Sequence, residues 1–169
     1  MITNSRDLFF VRKIQVNFYF KNNIVIKNLF FFENMLFRTY SVKNEAFLAN
    51  IKLKWLFDQI SKPTEIDKSL SNIKPLIKNK KTKKYLLNLL EDFSKITNFS
   101  DKKNFIENFK KFNCNFNKII NLFDKNFTTS CEFQILNFFY VNKINEIKNY
   151  KDFLFKKKKK SQHSRNCVY

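Results

Sequence analysis

The sequence predicts a mainly α protein: a helical bundle followed by a small strand–helix segment towards the C-terminal end. Three observations carry this expectation. From Asn104 to Phe127, large apolar residues fall at Phe105, Phe109, Phe112, Phe116, Ile119, Phe123 and Phe127. Such steps of four and three draw one stripe along a single helix face. Residues 41–61 and 75–99 show the same kind of periodicity, whereas residues 132–141, EFQILNFFYV, do not. That last run is apolar and rich in aromatic residues, which suits a strand.

In chain order, Ile14, Val16, Phe18 and Phe20 alternate with Gln15, Asn17 and Tyr19, a period of two that predicts a strand. Lys21-Asn22-Asn23 then turns the chain so that Ile24-Val25-Ile26 pairs back as a hairpin. The other reading of residues 1–28 is an N-terminal extension. Residues 29–40 are crowded with Phe and favour a helix over a strand. Ser41 is placed to cap a helix to Ser61, with Phe47, Leu48, Ile51, Trp55, Leu56 and Ile60 as its core face. Pro63 stops it, and Thr64 caps a short helix carrying Ile66, Leu70 and Ile73.

Pro75 opens the next helix, whose apolar face is Leu86, Leu89, Leu90, Phe93 and Ile96. Ser100-Asp101 starts the central helix, in which Ile106, Ile120 and Leu122 widen the stripe. Burying each Phe of that stripe contributes about 1.5–3 kcal/mol, so this helix is expected at the core. After the 132–141 strand, Asn142 is placed to cap a helix with Ile144, Ile147, Tyr150 or Lys151, and Leu154 on one face. The expected organisation is an extension or hairpin over 1–28, a bundle over 29–130, a strand–helix segment over 131–155 and a basic disordered tail over 156–169.

Composition excludes several function classes. The chain has no glycine, so it holds no glycine-dependent phosphate loop, dinucleotide turn or nucleophile elbow. Helix ends needing a left-handed residue are expected to use Asn. The net charge of +19 comes almost wholly from Lys. It fits the drift of an AT-rich genome as well as it fits a polyanionic partner. Cys114, Cys131 and Cys167 are odd in number and far apart, which argues against a disulfide framework. His163 is the sole histidine, so no zinc site is expected. No apolar run approaches the roughly 20 residues of a membrane span. Arg6, Arg12 and Lys13 form only a weak organellar transit signal.

No catalytic, cofactor-binding or metal-ligating residue is assigned. Glu91-Asp92 and Asp101 read as ordinary helix-surface and helix-start carboxylates, and Cys114 as a helix residue without an activating base. Trp55 and the Phe stripe read as core and not as base-stacking platforms. Lys156 to Lys160 read as a solvated tail, with contact to phosphates or anionic lipid as the sharper alternative. Cys167 stands third from the end and does not meet the prenylation pattern.

Residues 45–155 resemble the δ subunit of the bacterial rotary ATP synthase, the relative of the mitochondrial oligomycin-sensitivity-conferring protein. Four stretches carry the likeness. Thr64-Glu65-Ile66 through Ser69-Leu70-Ser71-Asn72 to Pro75-Leu76-Ile77 resembles a turn between bundle helices. Asn104-Phe105-Ile106 with Ile119-Ile120 and Phe123 resembles the last long bundle helix. Glu132-Phe133-Gln134-Ile135 is similar to the opening strand of the family's smaller domain, and Val141 to Leu154 to the helix after it. Phe112-Asn113-Cys114-Asn115 stands where the family has an Asn-Gly-Arg-like segment, and the family's glycine-containing C-terminal strands have no counterpart.

The resemblance implies a non-catalytic peripheral-stalk (stator) subunit. Its bundle would hold N-terminal segments of the α subunits of the catalytic head, and its C-terminal part would contact the stalk. It would sit peripherally on the cytoplasmic, matrix or stromal face of an energy-transducing membrane, with no cofactor and no small-molecule substrate. Which residues touch the partners is unknown from sequence. The alternative reading, from charge and the Lys tail, is a small basic ribosomal or other RNA-binding protein of an organelle or reduced genome, with rRNA and ribosomal proteins as partners.

Overall fold

The computed structural model describes residues 9–40, 46–62, 66–96, 101–144 and 150. Among them are seven α-helices and no strand: α1 Phe10–Ile14, α2 Ile24–Thr39, α3 Ala46–Ser61, α4 Lys74–Ile77, α5 Lys80–Ile96, α6 Lys102–Asn121 and α7 Cys131–Val141. A π-helical turn, Gln15–Tyr19, extends α1, and a 3-10 segment, Lys68–Ile73, precedes α4. The helical bundle is as expected; the three segments expected as strands, 14–20, 24–26 and 132–141, fall in helical stretches instead.

α6 begins where Asp101 accepts hydrogen bonds from the backbone N–H groups of Lys103 and Asn104. Phe105, Phe109, Phe112, Phe116, Ile119 and Ile120 are all fully buried on its stripe. The helix stops at Asn121, so Phe123 and Phe127 belong to the following loop. Phe127 still reaches the core, edge-on to Phe20 at 4.8 Å between ring centroids. The Asn113-Cys114-Asn115 stretch lies inside α6 and does not end it. Its amides are cross-links instead. Asn113 and Asn117, one turn apart, both donate to the Thr129 carbonyl, and Asn117 accepts from the Thr129 N–H.

α5 packs along α6 through Leu86, Leu89, Leu90, Phe93 and Ile96, every one buried. The helix expected from Pro75 is divided at residues 78–79, where Asn79 caps α5 by accepting from Lys81 and Thr82. Pro75 lies in the first turn of α4, where a missing N–H costs little. Asp67 caps the 3-10 segment, which buries Leu70 and Ile73. The proposed caps Ser41 and Thr64, with Pro63 and Ser100, fall outside the described residues.

The 14–20 segment shows why alternation misled. Arg12, Val16 and Phe20 point inward, four apart, while Ile14 and Phe18 point outward, also four apart. Apolar residues at every second position satisfy both periods when a helix carries two apolar faces. The Asn23 side chain caps α2 by accepting from Ile26 N–H, so Ile24-Val25-Ile26 starts a helix instead of pairing back.

The 132–141 run is α7. Ser130 Oγ accepts from Phe133 N–H, and Gln134, Ile135, Phe138 and Phe139 are buried at the i, i+1, i+4, i+5 spacing of one helix face. A lone strand has no partner for its backbone groups, so a helix overrides β-propensity here. Phe138 is the hub of the aromatic core, with ring contacts to Phe37, Phe93, Phe105 and Phe109. Residues 131–141 therefore pack in the same core as the bundle. The helix expected after Asn142 lies almost wholly outside the described residues. Asn142 itself closes α7, its amide donating to the Phe138 carbonyl.

In a chain without glycine, the left-handed position after α7 falls to Lys143, at φ 52°, and not to Asn. A side chain with a Cβ costs about 1 kcal/mol or more in that conformation. Lys143→Gly is accordingly expected to raise stability by about 1 kcal/mol, read as a higher urea midpoint at unchanged slope.

One buried ion pair fastens the N-terminal segment to this core. Arg12 and Glu33 are both fully enclosed, and the guanidinium meets the carboxylate through Nε and Nη2, each at 2.8 Å. Arg12 also donates to Gln15 at 2.8 Å and to Thr129 Oγ1 at 3.3 Å. Its guanidinium lies 4.2 Å from the Phe30 ring centroid and 4.7 Å from that of Phe133. From α7, Gln134 and Asn137 donate to the two Glu33 oxygens at 2.8 and 3.2 Å. Nearly every polar atom facing this pair is matched, as burial of charge requires.

Candidate functional site

α3 is apolar on two opposite sides, and the bundle covers only one. Ala49, Leu53, Leu56 and Ile60 are buried against α2 and α5. Phe47, Leu48, Ile51 and Trp55, expected from sequence as core, form the outward stripe instead. Phe47 is 74% exposed, Ile51 47% and Trp55 40%. Spacings of four put Phe47, Ile51 and Trp55 in one row along the helix. A helix that is apolar all round is ordinarily buried all round.

The stripe runs into a groove of about 290 Å³ between α2, α3 and the 3-10 segment. Met35, Arg38, Trp55, Leu56 and Leu70 are among the residues that line it. Trp55 therefore joins the open stripe to a concave, mostly apolar pocket. Lys52 and Lys54, both exposed, border the stripe on its two sides, and Asp58 lies one turn beyond its end. Such a strip with cationic margins suits an amphipathic helix bearing carboxylates along its edges.

The residues considered from sequence for chemistry are dispersed. Glu91 is exposed, and Asp92 is mostly buried and accepts from Asn115 Nδ2 at 2.8 Å. Burial raises the Asp92 pKa, with the Asn115 hydrogen bond opposing it. Asp101 is engaged as the α6 cap. Cys114 sits in α6 and Cys131 opens α7, and neither forms a disulfide. Burial pushes the Cys131 thiol up to about 12, with the Glu132 charge adding to the effect, so it stays protonated and a poor nucleophile at neutral pH. Among the described residues no cluster of His, Cys, Asp or Glu is arranged to hold a metal. Their helices include none long and apolar enough to cross a membrane. Lys156 to Lys160, His163 and Cys167 lie outside the described residues.

A second surface feature is the lysine band on α4 and the start of α5. Lys74, Lys78, Lys80, Lys81 and Lys84 are exposed, while Lys83 donates to the Ser61 carbonyl at 2.9 Å. The band was legible in the sequence as lysines standing close together between positions 74 and 84. The unburied side of α3 was not, because any apolar residue at helical spacing reads as core. The signal present was excess: Ala49, Leu53 and Phe57 complete a second apolar face that one contact cannot bury. Compared with known proteins, the chain matches no family model, no curated protein and no solved structure, so no family is identified.

Proposed function

We propose that this chain is a non-catalytic docking subunit whose α3 face receives an amphipathic helix of a partner protein. The observation that carries this reading is a helix apolar on both sides and buried on one. A docked helix would cover Phe47, Leu48, Ile51 and Trp55, with Trp55 as the aromatic anchor beside the groove. Lys52 and Lys54 favour a partner with acidic residues flanking its apolar ridge.

The resemblance to the ATP synthase δ subunit supplies a partner: the N-terminal segment of an α subunit of the catalytic head. The chain would then be a stator component, resisting rotation by binding alone, peripheral to an energy-transducing membrane. That partner rests on the sequence resemblance only, and the stretch likened to the family's opening strand is part of α7. The groove and stripe stand independently of it.

Trp55 is the only tryptophan, so fluorescence reads the proposed face directly. Titration of the full chain with an α-subunit N-terminal peptide is expected to shift Trp55 emission to the blue and shield it from acrylamide. Ile51→Asp is expected to weaken this binding at least about tenfold, with unchanged helicity because Ile51 is exposed. An unchanged spectrum would remove the α subunit as partner. Binding of rRNA that falls steeply with salt and survives Ile51→Asp would instead favour the ribosomal reading, through the lysine band on α4 and α5.

A further inference from the structure

A separate apolar surface lies at the N-terminal end, on α1 and the π-helical turn. Inward-facing Arg12, Val16 and Phe20 anchor this stretch, so its outer face is held in a fixed conformation. That outer face carries Phe10 at 68% exposure, Phe18 at 77%, Tyr19 at 63% and Ile14. The π-helical turn contributes to this display: the Phe20 N–H reaches the Gln15 carbonyl at 2.8 Å, which widens the helix just where Phe18 and Tyr19 emerge.

The surface differs from the α3 face in form. Phe10 and Phe18 are open to solvent, Tyr19 lies with its ring against those of Phe20 and Phe127 while staying largely exposed, and the neighbouring depression, lined by residues 18–25 and Asp124, is wide and open. Lys21 is exposed and lines the depression, and Lys13, half-buried, stands on α1 itself. Asp124 is the sole acidic residue lining the depression. Protruding Phe, a Tyr with a polar tip, and lysines around them are the chemistry of a helix lying in a lipid headgroup layer. A net charge of +19 adds attraction to anionic headgroups.

We propose that the outer face of residues 10–19 inserts into an anionic lipid surface, with Phe10 and Phe18 as the inserting side chains and Lys21 at the headgroups. This contact lies on the bilayer and does not span it. It is independent of the α3 docking reading, and each can fail without the other.

The test is flotation of the full chain with vesicles of phosphatidylcholine containing about 30 mol % phosphatidylserine, against pure phosphatidylcholine, near physiological salt. Expected are retention on the anionic vesicles and a loss of roughly tenfold or more in Phe10→Ser/Phe18→Ser. Both replaced side chains are exposed, so far-UV circular dichroism of that variant is expected to match the parent. Equal retention of parent and variant would assign any vesicle binding to lysines alone and overturn the proposal. Absence of binding would overturn it too, as would a lipid-free dimer dispersed by the same double substitution, since a second copy would then cover the face.

Discussion

Glu33→Ala is expected to lower stability by about 3–5 kcal/mol, seen as a large drop in the urea midpoint. The cost arises from what remains. Arg12 is fully enclosed and would keep only Gln15 and Thr129 as hydrogen-bond acceptors. Gln134 and Asn137 would lose the same acceptor at the same time. A typical domain has only about 5–15 kcal/mol in total, so the variant would stand near the edge of folding. Arg12→Met/Glu33→Leu is expected to recover part of the loss but not all, because the two amides on α7 stay unmatched. A loss below about 1 kcal/mol in Glu33→Ala would mean that the pair is solvated, as surface pairs are.

Phe138→Ala is expected to cost about 3–5 kcal/mol, the range for emptying a large aromatic site that its surroundings cannot refill. Phe138 meets rings from α2, α5 and α6, so its removal opens the junction of the three helices. Phe139→Ala should be comparably damaging, since Phe139 is buried too and lies against Phe105 at 5.9 Å. The pair of substitutions also tests the helical state of α7. On a strand, adjacent side chains point to opposite faces, and one of the two would tolerate replacement. Two severe losses, measured by denaturant unfolding, match the helix.

The parts of this fold legible in sequence are those where one period dominates. The stripe from Phe105 to Ile119 and the face from Leu86 to Ile96 are helices with a single buried side, and both were expected. Residues 14–20 and 132–141 were misread for opposite reasons. The first carries two apolar faces whose sum imitates alternation. The second is so aromatic that propensity outweighed the helical spacing of Ile135, Phe138 and Phe139. The Arg12–Glu33 pair had half a signal, a lone carboxylate directly after the Phe30-Phe31-Phe32 run, but its partner 21 residues away is set by tertiary packing alone. At α3, periodicity identified the helix and not which side faces the bundle. That choice depends on where α2 and α5 lie, and it is the choice that creates the candidate docking face.

The most direct test of that face is photo-cross-linking in cells from a reactive residue at position 51, with position 103 on α6, also exposed, as the control. The docking account predicts a discrete protein adduct from position 51 only, mapped by mass spectrometry to an acidic amphipathic helix, and to the ATP synthase α subunit if the stator reading holds. Nucleic-acid adducts alone, no adduct, or the same adducts from both positions would contradict it.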